Sequence, residues 1–180
     1  PEVINNFEFS GGKKAIIDRS KCEECGLCAT VCRFEAIDNF TIDQLSCEGC
    51  GFCYRICPND AINFLPSKSG SYFECMQPDD SKFYYAKLNP GEGNSGKLVS
   101  AIKKKALENI EQDIKWVIVD GPPGIGCPVN ASISSADYVL IVTEPTVSGI
   151  HDLKRIVTLL NSFKIHCGVV INKCDLNFEA

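Results

Sequence analysis

The 180-residue chain lacks any long hydrophobic run, holds only two histidines and is short of positive charge. No apolar stretch approaches the ~18 residues that a membrane-spanning helix needs. No charged-then-apolar opening marks a secretory leader either. Eighteen basic residues face 23 acidic ones, a formal charge of −5, which argues against a nucleic-acid binder held by phosphate contacts. Setting the 12 cysteines aside, about 37% of the chain is apolar, against roughly 45–50% in an average domain on a scale that counts glycine. That is enough for one core of ordinary size plus a segment stapled by other means. From these absences we expect a soluble, cytoplasmic protein with no nucleic-acid partner and no membrane span.

What the chain has in excess is cysteine, unevenly placed. Eight of the twelve fall in two sets, Cys22-x2-Cys25-x2-Cys28-x3-Cys32 and Cys47-x2-Cys50-x2-Cys53-x3-Cys57-Pro58. A shift of 25 residues superposes all four positions, so this is an internal repeat. Disulfides need an oxidising compartment, for which nothing in the chain speaks. Zinc prefers ligand pairs separated by a longer span, and three thiols at x2-x2 spacing overserve a tetrahedral ion. The run matches the spacing of bacterial ferredoxins with two [4Fe–4S] clusters, in which the fourth cysteine of each run ligates the other cluster. The expected ligand sets are therefore Cys22, Cys25, Cys28 and Cys57 on one cluster, and Cys47, Cys50, Cys53 and Cys32 on the second. Gly26, Gly49 and Gly51 would let backbone amides approach the sulfurs. Arg33 follows Cys32 where Pro58 follows Cys57, a departure that places a cation beside one site.

Short apolar stretches flank the repeats. Ala15–Asp18 and Ala61–Phe64 read as strands, with two more, Ala36–Asp38 and Phe40–Ile42, around a polar turn. A compact ferredoxin-like unit is thus expected over 12–65, followed by a linker over 66–71 with the composition Pro-Ser-Lys-Ser-Gly-Ser. Beyond it strands and helices alternate. Strands are expected at 71–77 and 82–88, and an amphipathic helix over 95–112. Buried strands are expected at Trp116–Val119, Tyr138–Val142 and Gly168–Ile171, with helices near 129–135 and 149–162 between them. This order predicts an α/β domain with a parallel sheet over 72–180, to which 1–11 would be an N-terminal remnant.

Two motifs close strands of that sheet. Asp120-Gly121-Pro122-Pro123-Gly124 follows an apolar run, where an aspartate can hold a magnesium-bound water and the turn can sense a γ-phosphate. Asn172-Lys173-Cys174-Asp175 ends another strand and can read a purine edge. With an eight-cysteine ferredoxin upstream, and with Thr143-Glu144-Pro145-Thr146 ahead of Gly149–Lys154, these motifs resemble the MinD/Mrp-type P-loop ATPases that carry an inserted ferredoxin domain. The resemblance implies an incomplete P-loop NTPase-like α/β domain with an α+β ferredoxin-like insert. It also implies ATP and magnesium as cofactors of the intact protein, with Asp120 as the catalytic magnesium-side aspartate. Asp120, Gly121, Gly124, Asn172 and Asp175 would then bind nucleotide.

The family's phosphate loop precedes the ferredoxin insert, and this chain has none there, so it reads as an internal fragment unable to hydrolyse ATP by itself. Gly91–Lys97 has the form G-x4-G-K, but Leu98 stands where a hydroxyl must reach magnesium. Of the remaining cysteines, Cys75 and Cys167 read as buried apolar residues, and Cys174 has no partner in sequence. Cys127 is open to two readings, a thiol at a helix start or the ligand of a cluster shared by two subunits. His151 and His166 are too isolated to be ligands. Two functions stay open: single-electron transfer coupled to ATP, with a redox partner protein and room for a homodimer, or an iron–sulfur carrier or scaffold of the Mrp type.

Overall fold

The computed structural model describes residues 1–108, 110, 111 and 113–176. It is a mixed α/β structure that divides into two compact units, Pro1–Leu98 and Val99–Ala180.

The first unit is built on two long strands. β1 (Glu2–Ile17) and β4 (Ile62–Met76) pair antiparallel along their whole length, from Glu2 opposite Met76 to Ile17 opposite Ile62. Between their near ends the chain makes α1 (Leu27–Thr30), the two-residue strands β2 (Ile37–Asp38) and β3 (Thr41–Ile42), and α2 (Phe52–Ile56). The short strands expected at 15–18 and 61–64 are the ends of β1 and β4. β5 (Lys82–Leu88) adds to the far half of β4 after a turn held by Asp79, whose carboxylate accepts from Ser81 N–H at 3.1 Å and Ser81 Oγ at 2.7 Å.

The linker expected over 66–71 is instead strand. Ser67, Lys68 and Gly70 face Gly12, Ser10 and Phe9 of β1, so the polar, glycine-bearing stretch has its backbone groups satisfied by a partner. Pro66 is tolerated because β5 pairs only from Gly70 onward, leaving β4 with one neighbour at that point. Register shifts mark bulges, with Ile4 and Gly11 as the extra residues on β1 and Ser69 on β4. The boundaries change with this finding: residues 1–11 and 72–98 fall in the same compact unit as the cysteine repeats.

The core of this unit lies under the repeats and is itself repeated. Ala15, Cys28, Ile37, Ile42 and Ile62 form the buried cluster, with Ile17, Phe64 and four more cysteines packed against it. Ile42 and Ile62 stand 25 residues from Ile17 and Ile37, so the duplication extends beyond the cysteines.

α3 (Ser95–Glu108) spans the division between the units; the residues beyond it that the sequence reading included as helix run partly outside the described residues. In the second unit α4 (Cys127–Ile133), β6 (Tyr138–Thr143), α5 (Val147–Phe163) and β7 (His166–Ile171) follow, and β6 and β7 pair in parallel. Thr146 caps α5, its Oγ1 accepting the Gly149 N–H at 3.0 Å. Val129, Ile133 and Leu160 form a small core with Val139, Ile141 and Cys167.

Two expectations fail here. Trp116–Val119 is not a strand: Trp116 is 84% and Ile118 90% exposed, and no described segment pairs with them. An apolar run becomes a central parallel strand only where neighbours accept its backbone hydrogen bonds. β6 and β7 are likewise only half buried, with Tyr138, Leu140 and Val142 turned outward. Among the described residues no helix is long and apolar enough to cross a membrane.

Candidate metal centre

Each cysteine run is launched by an aspartate, a residue that cysteine spacing alone does not mark. Asp18 and Asp43 stand four residues ahead of Cys22 and Cys47, at equivalent points of the repeat. Asp18 Oδ1 accepts from Ser20 N–H at 3.0 Å and Ser20 Oγ at 2.6 Å. Asp43 accepts from Leu45 N–H at 3.0 Å, Ser46 N–H at 3.3 Å and Ser46 Oγ at 2.5 Å. Their backbone carbonyls take the N–H groups of Cys22 and Cys47 at 3.1 and 3.0 Å, so the first thiol of each run is anchored to its aspartate. The hydrogen bonds from the serines hold both carboxyl groups below the usual carboxylate range. The signal that could have found these residues was the same 25-residue shift.

After the first cysteine each loop turns through left-handed backbone. Gly26 (φ 78°) and Gly51 (φ 72°) cap α1 and α2. Gly49 (φ 65°) has no room for a side chain, because a Cβ there would lie 2.2 Å from the Lys13 carbonyl oxygen of β1. The loops are thereby wrapped around two groups of thiols.

Cys22, Cys25, Cys28 and Cys57 line one cavity, with Ile17, Leu27, Phe40, Pro58 and Ile62 as its apolar wall. Three of these thiols come from the first run and the fourth from the second. At the other site Cys53 feels Cys47, Cys50 and Cys32, the mirror of that arrangement. Burial pushes the Cys28 and Cys53 thiols up, and neighbouring thiols push them further. Backbone N–H groups work against this, those of Cys28 and Ala29 at Cys28 and that of Tyr54 at Cys53. Ala61 N–H donates to Cys57 Sγ at 3.3 Å. Cys25 and Cys50, the middle thiols, are exposed.

The donor set fits an iron–sulfur cubane. It is all sulfur, it has four members around a pocket with apolar walls, and amide groups point at the sulfurs. Among the described residues no three His, Cys, Asp or Glu side chains converge as ligands of a single ion would.

The nucleotide motifs are less assembled. Asp120 is exposed in a stretch without regular structure, and among the described residues no hydrogen bond or ion pair ties it to Asn172 or Asp175. Gly121 faces the Ser132 side chain, 3.6 Å from where a Cβ would stand, and Gly124 has φ 88°. Asn172 continues the β6–β7 ladder, its N–H donating to Thr143 O at 2.7 Å. Lys173 pairs with Glu144 at 2.5 Å, and Asp175 lies exposed in a single helical turn, Cys174–Leu176. Gly91–Lys97 is not a phosphate cradle. Lys97 Nζ donates to the Gly11 carbonyl at 3.1 Å, Glu92 pairs with Lys14 at 2.6 Å, and Leu98 is buried. The described residues thus contain no phosphate-binding loop of that form. Cys75 is fully buried, Cys167 half-buried and Cys127 exposed; Cys174 Sγ donates to Ile171 O at 3.0 Å.

Residues 15–38 and 40–63 each match the model of the 4Fe-4S binding domain family, and each match contains one four-cysteine run. An uncharacterized protein of Methanocaldococcus jannaschii is 37% identical over 156 residues, covering 87% of this chain and 55% of that protein. A second uncharacterized protein of the same organism is 35% identical over 116 residues, or 64% of this chain and 42% of that one. The septum site-determining protein MinD of Bacillus subtilis is 35% identical over 75 residues, 41% of this chain and 28% of MinD. The chain spans about half the length of the first two relatives. With two 4Fe-4S binding repeats, each carrying a complete cysteine run, the chain is an iron–sulfur protein.

Proposed function

We propose that the chain carries two [4Fe–4S] clusters for single-electron transfer, held by Cys22, Cys25, Cys28 and Cys57 at one site and by Cys47, Cys50, Cys53 and Cys32 at the other. The observation that carries this reading is the shared cavity of Cys22, Cys25, Cys28 and Cys57, which unites thiols from both runs. A bound cubane supplies a reversible one-electron couple. The chain's own part is to fix the sulfurs, bury Cys28, keep the other ligands partly covered, and leave Cys25 and Cys50 at the surface, where an electron can enter or leave.

Crossed ligation favours electron transfer over delivery of clusters, because releasing either cluster requires both runs to open. Anaerobic reduction and reoxidation tests this. Repeated cycles at constant iron content are expected, and transfer of iron to an apo-acceptor within minutes would establish a carrier instead.

For the second unit we propose a share in a nucleotide site that couples ATP to the redox centre in the whole protein. Asp120 would lie on the magnesium side, and Asn172 with Asp175 at the base. This is supported by the motifs at the ends of apolar stretches and by the partial likeness to MinD. The described residues do not complete such a site. Calorimetry with Mg-ATP on this chain is expected to detect no tight binding; submicromolar binding abolished by Asp120→Asn would show that the site is complete.

A further inference from the structure

The turns that deliver the fourth cysteine of each run occupy equivalent positions in the repeat but differ in structure. After Cys57, Pro58 opens the turn, Asp60 is left-handed (φ 47°), and Asp60 N–H stands 3.5 Å from Cys57 O. Ala61 N–H then donates to Cys57 Sγ at 3.3 Å. After Cys32 the turn begins with Arg33, Glu35 is left-handed (φ 52°), and its N–H lies closer to Cys32 O, at 3.1 Å. Ala36 is the counterpart of Ala61, yet among the described residues no N–H donates to Cys32 Sγ.

An N–H aimed at a cluster sulfur favours the reduced state, because added electron density resides partly on the sulfurs. We propose that the two sites are unequal, and that Cys22, Cys25, Cys28 and Cys57, with the Ala61 N–H as a positioning group, hold the more easily reduced cluster. The step takes one electron from a low-potential one-electron donor, dithionite in the test below, with no bond made or broken. Side-chain charges lean the opposite way, with Glu23 and Glu24 by the first loop, the latter paired with Arg19, and Arg33, Arg55 and Glu48 by the second. They stand in water, however, where screening acts over about 8 Å, and the Arg33 guanidinium lies over the Phe34 ring at 5.3 Å. The Ala61 N–H touches the Cys57 sulfur directly.

This inference rests on the two-cluster reading, and the test separates the two. Iron is counted first, then the whole chain is titrated with dithionite under argon and followed by electron paramagnetic resonance. Two one-electron steps are expected. In Ala61→Pro, which deletes the donor, the higher step should fall about tenfold in its reduction equilibrium, or 59 mV, while the lower step stays. Where Ala61→Pro does not fold, wild-type protein reduced by one electron is examined by electron–nuclear double resonance in H2O and D2O. The first-reduced cluster should then show more exchangeable proton couplings than the second. Eight irons with only the lower step moved, or with fewer couplings in the first-reduced cluster, overturns the inference alone. An iron count far from eight overturns the two-cluster reading itself.

Discussion

Gly49 and Gly26 have nearly the same backbone conformation, and substituting each by alanine should have very different consequences. At Gly26 (φ 78°) no atom lies within 4 Å of the position a Cβ would take. The cost there is that of a left-handed alanine, about 1–2 kcal/mol. Roughly 0.4–1 kcal/mol is returned through the less flexible unfolded chain. Gly49→Ala carries the same cost and a collision as well. Its Cβ would lie 2.2 Å from the Lys13 carbonyl oxygen, a backbone atom of β1 opposite Pro66 of β4. Ordinary carbon–oxygen contacts begin near ~3.3 Å. The loop would have to retreat by about 1 Å, at a further 1–3 kcal/mol on the scale of overpacked interiors. Because Gly49 lies between Cys47 and Cys50, that retreat displaces two thiols of one site. The assay is the rate at which visible iron–sulfur absorption is lost in anaerobic urea. Gly26→Ala should accelerate loss only a few-fold, and Gly49→Ala by a further factor of roughly 5–150, the same 1–3 kcal/mol expressed as a rate. Equal rates would refute the reasoning, since they would mean that the Lys13 carbonyl does not constrain the loop.

Other outcomes follow from the same geometry. Cys57→Ala and Cys22→Ala should alter one electron paramagnetic resonance signal, and Cys32→Ala and Cys47→Ala the other. If Cys57→Ala and Cys47→Ala instead share a signal, ligation is not crossed. Lys103 donates to the carbonyls of Ser132 (2.8 Å) and Ser134 at the end of α4, and burial pulls its ammonium below 10.5. The unfolded chain therefore binds the proton more tightly, so this group's contribution to stability should rise as pH climbs toward 10.5. Lys103→Met should remove that slope in urea melts at pH 8 and pH 10, and should cost about 1 kcal/mol at pH 8 through the lost hydrogen bonds; an unchanged slope would show that Lys103 is solvated. Lys97→Ala should weaken the contact with Gly11 in the first unit and lower the urea midpoint, while leaving any affinity for Mg-ATP unchanged. Loss of nucleotide affinity in that variant would restore Gly91–Lys97 as a phosphate loop.

The metal site was more legible in sequence than the fold around it. Cysteine spacing is a local code, set by how a loop wraps a cluster, so the two 4Fe-4S binding repeats could be read directly. The same repeat held more than was read from it. Asp18 and Asp43 share a position, and so do Glu24 (φ 56°) and Gly49 (φ 65°), which adopt the same left-handed backbone with different residues. Only the second of these needs glycine, because only there does the Lys13 carbonyl press on the loop, a long-range fact that no local pattern contains. The linker at 66–71 failed for a related reason: its serines, lysine and glycine have turn-like composition, but β1 supplies a partner strand, and pairing outweighs composition. Trp116–Val119 erred the other way, since an apolar run signals a buried strand only where a neighbour exists to pair with it. The motifs at Asp120 and Asn172 were visible as residues, but their spatial relation was not.

The most direct test of the account is the iron and acid-labile sulfide content per chain after strictly anaerobic purification. About eight of each is predicted, two [4Fe–4S] clusters on the eight repeat cysteines. Zinc without sulfide would contradict the account and leave the two runs as structural metal sites.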